Sequence, residues 1–321
     1  MQILITGGAG FIGSFLAERL ISEGHSVTVL DDLSTGSEEN LTAVASNPRF
    51  EFREGSVLDA ALVGDLVDAA ECVFHLAAAV GVRLIMEQPS AGLLTNIVGT
   101  ERVLEACLRD NTRVFVASTS EVYGKSRSFP QKETDDLIIG ATDNLRWSYA
   151  CAKMCDEFLA LSYVRERRLP ATILRFFNTT GPRQTSRYGM VIPSFVDAAR
   201  EGRPLVVHGD GNQSRCFCHV HDVIEALARL FDRPETIGTV YNIGTDHEVT
   251  IGDLANKVIE MTGSASEIQY VPYKDVYGPG FEDMQRRKPD LTRIEGATGF
   301  RPHIPLDQII ADIIRERLEK A

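Results

Sequence analysis

Long apolar runs are missing from this chain of 321 residues: no stretch of about 18 uninterrupted apolar residues occurs, so no membrane span is expected. Cysteine is sparse. The six thiols, Cys72, Cys107, Cys151, Cys155, Cys216 and Cys218, are too few for a disulfide framework at this length. The amino terminus, Met1-Gln2-Ile3-Leu4-Ile5-Thr6-Gly7, has no basic segment ahead of its apolar residues and runs straight into structure, unlike an export signal. Reduced thiols in a cytoplasm are therefore expected. Positive charge is also in deficit: 33 Lys and Arg against 45 Asp and Glu leave a formal net charge of −12. Such a surface repels nucleic acid and anionic membranes at long range, although a few local arginines can still hold a small anion. The sequence shows no internal repeat and no low-complexity tract. Its 44% hydrophobic and 24% charged residues exclude wholesale disorder, a collagen-like chain and a disulfide miniprotein.

The length fits one large domain or two intimate ones. Short apolar runs at Gln2–Thr6, Ser26–Leu30, Phe50–Glu54, Cys72–Leu76, Arg113–Ala117 and Ala171–Phe176 read as buried strands. Helical spacing fills Phe11–Glu23, Leu93–Arg109 and Tyr149–Arg167 between them. This alternation predicts an α/β fold, a parallel sheet with helices on both faces. After Asn178 the rhythm changes. Helices near Val191–Glu201 and Val220–Phe231 and strands at Leu205–His208 and Val240–Ile243 are expected, and Pro272–Pro289 reads as a loop.

Gly7, Gly10 and Gly13 stand at GxxGxxG spacing between the first strand and the first helix. Glycines there allow a tight turn, close approach of a pyrophosphate and close helix–strand packing, and the helix N-terminus offers free N–H groups to phosphate. A simple glycine turn would look alike, but the strand–turn–helix context favours a dinucleotide. Asp31, about 20 residues on, can accept from ribose hydroxyls and would repel a 2′-phosphate, which selects NAD over NADP. Asp32 reads as a solvated strand-end acid.

Tyr149 and Lys153 are four residues apart, on one face of a helix. An ammonium near a phenol favours the phenolate and makes it a usable base. Tyr270 and Lys274 repeat the spacing, but Pro272 between them argues against a regular helix. Cys216-Phe217-Cys218-His219-Val220-His221 has metal-ligand residue types. On a strand its cysteines and histidines would face opposite ways, so no metal is expected. Cys151 and Cys155 share a helix face and read as small packing residues.

Taken together, the segments TGGAGFIG at 6–13, DDLSTG at 31–36, HLAA at 75–78, NIVGT at 96–100, STSEVYG at 118–124, YACAK at 149–153, RFFNTTGPR at 175–183 and QSRCF at 213–217 resemble the extended short-chain dehydrogenase/reductases of the nucleotide-sugar epimerase, dehydratase and decarboxylase group. The resemblance implies a Rossmann doubly wound sheet over residues 1–178, with returning segments near 216–247. A smaller α/β nucleotide-sugar domain would occupy mainly 179–321. It implies NAD contacts at Gly7, Gly10, Phe11, Ile12, Gly13, Asp31, Leu76, Ala77 and Lys153. Thr119 and Tyr149 would act on the sugar hydroxyl, and Arg83, Ser120, Asn178, Arg215 and Arg287 would line the UDP-sugar site. It also implies a homodimer through the helices around 93–109 and 149–167.

Within that group, Thr119-Ser120-Glu121 and Arg286-Arg287-Lys288-Pro289-Asp290 resemble UDP-glucuronate decarboxylases, implying catalytic roles for Glu121 and Arg287. Arg146–Lys153 resembles the plant UDP-apiose/UDP-xylose synthases, and Tyr277–Asp283 resembles those and the bacterial decarboxylase of lipid A modification. Dehydratases typically carry an Asp–Glu pair where this chain has Ser120-Glu121. Ala79-Val80-Gly81-Val82-Arg83 looks more like UDP-hexose or UDP-hexuronate 4-epimerases, the alternative reading. Non-catalytic NAD-binding relatives usually lack the Tyr–Lys pair that is present here.

Overall fold

The computed structural model describes residues 1–81, 86–186, 189–278 and 282–320. Seven strands form one parallel sheet: β1 (Gln2–Thr6), β2 (Ser26–Asp31), β3 (Phe50–Glu54), β4 (Cys72–His75), β5 (Arg113–Thr119), β6 (Ala171–Phe176) and the late-arriving β11 (Val240–Ile243). Their order across the sheet is β11-β6-β5-β4-β1-β2-β3. The order reverses between β1 and β4, which leaves a crevice beyond the carboxyl ends of those strands.

Burial on both faces explains the continuous apolar runs. Along β1, Ile3 and Ile5 join one core, packed by α1 (Phe11–Ser22) and α6 (Val220–Phe231). Leu4 joins the other, packed by α2 (Ala60–Asp68), α3 (Pro89–Arg109) and α4 (Ser148–Arg167). The period of two thus feeds two separate layers of helices.

A second core gathers α5 (Val191–Arg200), β8 (Leu205–His208), α7 (Ile251–Thr262) and α10 (Leu306–Glu319). Short paired strands surround it: β7 (Thr179–Thr180) with β10 (Cys218–His219), β9 (Ser214–Cys216) with β12 (Glu248–Thr250), and β8 with β13 (Ile268–Val271). The alternation pattern did not anticipate α2, β12, β13, α7 or the last helices, α9 (Thr292–Thr298) and α10. Several of these elements are three to seven residues long, too short to show a period. The expected 272–289 loop contains a five-residue helix, α8 (Tyr273–Tyr277), which starts just after Pro272. Tyr270 lies in β13 and Lys274 in α8, so that second Tyr–Lys spacing spans two elements.

Two readings need correction. Cys151 and Cys155 do not pack inside; both are exposed on α4. The 216–221 stretch is not one strand: it runs from β9 through β10 into α6. Among the described residues no group of three or more His, Cys, Asp or Glu is placed to hold a metal. No described helix is long and apolar enough to cross a membrane.

Candidate active site

The crevice opens into a cleft of about 1020 Å³ that runs from the glycine loop to the second core. Every described residue that the sequence assigned to the cofactor, catalytic or sugar site lines it: Gly7, Gly10, Phe11, Ile12, Gly13, Asp31, Leu76, Ala77, Thr119, Ser120, Glu121, Tyr149, Lys153, Asn178, Arg215 and Arg287. Arg83 lies outside the described residues.

At the cofactor end, Gly7 has φ +72, and a Cβ there would sit 2.6 Å from the Ala77 nitrogen. A Cβ on Gly13 would sit 2.4 Å from the Gly7 carbonyl oxygen. Only glycine lets the loop lie so close to the β4 end and to its own helix. Gly10 caps α1 without a side chain, so no side chain competes for the first-turn N–H groups. Asp31 reaches back from β2 and accepts from Ala9 N–H and Leu33 N–H, both at 2.9 Å. Burial raises its pKa, and those two amides oppose the shift. The acid therefore shapes the loop as well as facing the cleft. This bare glycine cradle, open helix end and strand-end acid fit a dinucleotide.

The centre of the cleft is held by α4. Its Glu157 fixes the helix to the sheet, accepting from Arg175 of β6 at 2.8 and 2.7 Å and from Ser118 of β5 at 2.5 Å. Thr119, the last residue of β5, caps a 3₁₀ turn at Ser120–Tyr123, its hydroxyl accepting Glu121 N–H at 3.2 Å. Tyr123 ties that turn down by donating to Asn242 of β11 at 2.7 Å. Thr119 also stands near the Tyr149 phenol and favours its ionised form.

The expectation that Lys153 draws the phenol down is not met here. Burial dominates and raises the Tyr149 pKa, and the Glu121 charge adds to the rise; nearby Thr119 opposes both. The Lys153 ammonium faces Asp156 at 3.0 Å instead.

The far wall is a cluster of five charged side chains. Glu121 receives two bonds from Arg146, one from Nη1 and one from Nη2 at 3.0 Å, and faces Arg287 Nη1 at 3.4 Å. Asp283 lies 3.5 Å from Arg146 and accepts from Arg215 at 2.8 Å. Burial pushes the Glu121 carboxyl up, but Arg146 and Arg287 more than offset this and hold it at about 2. Burial and the neighbouring Arg215 pull the Arg287 guanidinium down to about 10. Arg287 Nε and Ser120 Oγ are buried with no hydrogen-bond partner among the described residues.

Sequence reasoning missed Arg146 and Asp283. Each fell within a segment noted only for its likeness to relatives, and a lone charge in a polar segment reads as exposed. Arg146 is 1% exposed. Asp283 is delivered by residues 282–290, a latched strap that contributes Asp283 and Arg287 to the cleft lining. Glu282 of the strap accepts from Lys125 and Trp147, Met284 packs with Tyr123 and Trp147, and Arg286 donates to Glu248.

Known proteins place the chain in a family. The NAD dependent epimerase/dehydratase family matches residues 3–244. A UDP-N-acetyl-alpha-D-glucosaminuronate decarboxylase of Bacillus cytotoxicus is 42% identical over 315 residues, 98% of this chain and 97% of that one. UDP-glucuronic acid decarboxylase 2 of Arabidopsis thaliana is 34% identical over 98% of this chain and 68% of its own length. The solved structure of UDP-glucuronic acid 4-epimerase from Bacillus cereus, in complex with UDP-glucuronic acid and NAD, superposes with a TM-score of 0.90 at 26% identity, over 100% of both chains. This chain belongs to the NAD dependent epimerase/dehydratase family. It is a Rossmann-fold enzyme whose cofactor is NAD.

Proposed function

We propose that the protein decarboxylates a UDP-hexuronate, by oxidation at C4, loss of the C6 carboxylate and return of the hydride or release of the 4-keto sugar. Arg287 carries this reading. In the five-membered cluster three guanidinium groups face two carboxylates. Arg146 and Arg215 occupy Glu121 and Asp283 at short range, and Arg287 is left with one 3.4 Å contact and a buried, unpartnered Nε. A neutral hydroxymethyl at C6 gives that surplus charge nothing. A carboxylate balances it and matches the guanidinium fork.

NAD, when bound, would supply the hydride acceptor at C4 and return the hydride. Tyr149 takes the proton of the C4 hydroxyl, with Thr119 bonded to the same oxygen, and Lys153 holds the nicotinamide ribose. Once C4 is a ketone the acid is a β-keto acid: the C5–C6 bond breaks to release carbon dioxide, its electron pair passes into a C4–C5 enolate, and C5 then takes a proton from water, so the chain's task is to orient the carboxylate. Arg287 orients it. Glu121, clamped and ionised, acts as a positioning residue for Arg287. Asn178 and Arg215 hold the diphosphate, and Ser120 faces the sugar. Residues 1–178, with the returning α6 and β11, carry the cofactor, and mainly 179–321 carry the nucleotide sugar.

We further infer a cytoplasmic homodimer. Leu94 on α3 and Phe158 on α4 are 58% and 66% exposed on two helices that pack side by side, an apolar surface that a second copy would cover. The unpaired cysteines suit a reducing compartment.

Product mass spectrometry after incubation with NAD and either UDP-glucuronate or its 2-acetamido analogue tests the function. Loss of one carbon dioxide supports it. An unchanged mass at a new retention time means 4-epimerisation and overturns it.

A further inference from the structure

Helix α4 turns four polar side chains inward at positions i, i+4, i+7 and i+8: Tyr149, Lys153, Asp156 and Glu157. An amphipathic helix would place apolar residues there. Glu157 is explained by Arg175 and Ser118. Asp156 is not explained by any step above. Its Oδ2 lies 3.0 Å from Lys153 Nζ, and both side chains are 1% exposed.

Two ions removed from water persist only with good geometry. Lys153 supplies the one hydrogen bond this carboxylate accepts among the described residues, and its Oδ1 is buried without a partner. Burial raises the Asp156 pKa, and Lys153 and nearby Thr100 of α3 oppose the rise. His75, at the end of β4, joins the Thr100 hydroxyl at 3.0 Å to the Thr6 hydroxyl at 2.7 Å. Thr6 immediately precedes the glycine loop. Hydrogen-bonded side chains therefore link the loop to α3, whose Thr100 stands near the Lys153–Asp156 pair.

We propose that Asp156 is a positioning residue that fixes the Lys153 ammonium against the cofactor side of the cleft and offsets its charge, so that Tyr149 returns its proton as readily as it takes one. The proposal rests on Tyr149 as the base. A base that must work in both directions is best tuned near the operating pH, and an uncompensated ammonium one helical turn away would favour the phenolate throughout. Asp156 also acts on Tyr149 through space, opposing the phenolate.

The other groups near the pair are committed. Burial and the Lys153 charge hold His75 neutral, with a pKa of about 3. Glu157 is taken by Arg175, and Glu121 by Arg146 and Arg287. Asp156 is thus the group that sets the net charge beside Lys153.

The isosteric Asp156→Asn variant tests this, beside wild type and Tyr149→Phe. Two quantities are measured: the pH dependence of NADH absorbance in a single turnover with UDP-glucuronate, and the NAD dissociation constant by calorimetry. The acid limb of the rate profile should move down by roughly half to one pH unit in D156N, and NAD binding should weaken several-fold. An unshifted limb overturns the proposal, even if the rate falls. Unchanged NAD affinity overturns the positioning half. Retained turnover in Y149F instead removes the base assignment and the functional reading with it. If D156N does not fold, Thr100→Val, which takes away a nearby hydroxyl that favours the ionised Asp156 carboxylate, should shift the limb the same way by less.

Discussion

Two buried ionic clusters contribute side chains to the cleft, and they are built in opposite ways. Lys153 and Asp156 stand three residues apart on one helix and balance one to one. Glu121, Arg146, Arg215, Asp283 and Arg287 come from distant segments, Glu121 and Arg287 being 166 residues apart, and three cations meet two anions. The first cluster is electrically complete, so it can hold Lys153 in place without drawing in a further charge. The second is one negative charge short of balance and is therefore suited to an anionic group from outside. The sum of charge, rather than the number of ion pairs, separates scaffolding from recognition.

The heaviest blow to both halves is Tyr149→Phe, which removes the group between them. Turnover should fall about 1000-fold with the circular dichroism unchanged; more than a tenth of the activity remaining would reject Tyr149 as the base. Arg287→Met should break only the unbalanced cluster. Carbon dioxide release from UDP-glucuronate should drop about 100-fold while NADH still forms, and an equal loss of both signals would place Arg287 outside the carboxylate step.

Stability separates the clusters further. Arg146→Met leaves Glu121 and Asp283 short of a buried partner and should cost about 3 kcal/mol in urea unfolding. Replacing the balanced pair as a unit, Lys153→Met with Asp156→Leu, should change stability by only about 1 kcal/mol, while NAD binding weakens. A loss as large as that of R146M would show the pair to be a structural keystone.

The smallest effect concerns acid. Glu121 is held at about 2, below its ordinary value, so its contribution is complete above the unfolded-state pKa of about 4.3 and disappears as pH falls toward 2. Between those values the midpoint temperature of wild type should fall more steeply than that of Glu121→Gln.

The cofactor half was largely legible from the residues. Gly7, Gly10, Gly13, Asp31, Tyr149 and Lys153 lie on or beside one regular strand–helix pattern, and regular elements turn spacing into geometry. The other half was legible only in part. Arg287 and Glu121 came from resemblance, and Arg146 and Asp283 were missed because they reach the cleft from a 3₁₀ turn and a strap that have no periodicity. Asp156 was hidden for a different reason: three residues after a lysine on a helix, it looks like a solvent-exposed ion pair.

By itself, then, the sequence determined which residues alternate between two faces, where most of the sheet's strands and three of its helices lie, and which chemistry sits at fixed spacing on them. Those are short-range properties, set by backbone period and side-chain polarity. Tertiary structure decided which charges lose their water and which meet: that Lys153 turns to Asp156, that burial lifts the Tyr149 phenol against the cation's pull, and that three arginines converge on two carboxylates. Electrostatic energy depends on desolvation and on distance through space, and neither is written in the order of the residues.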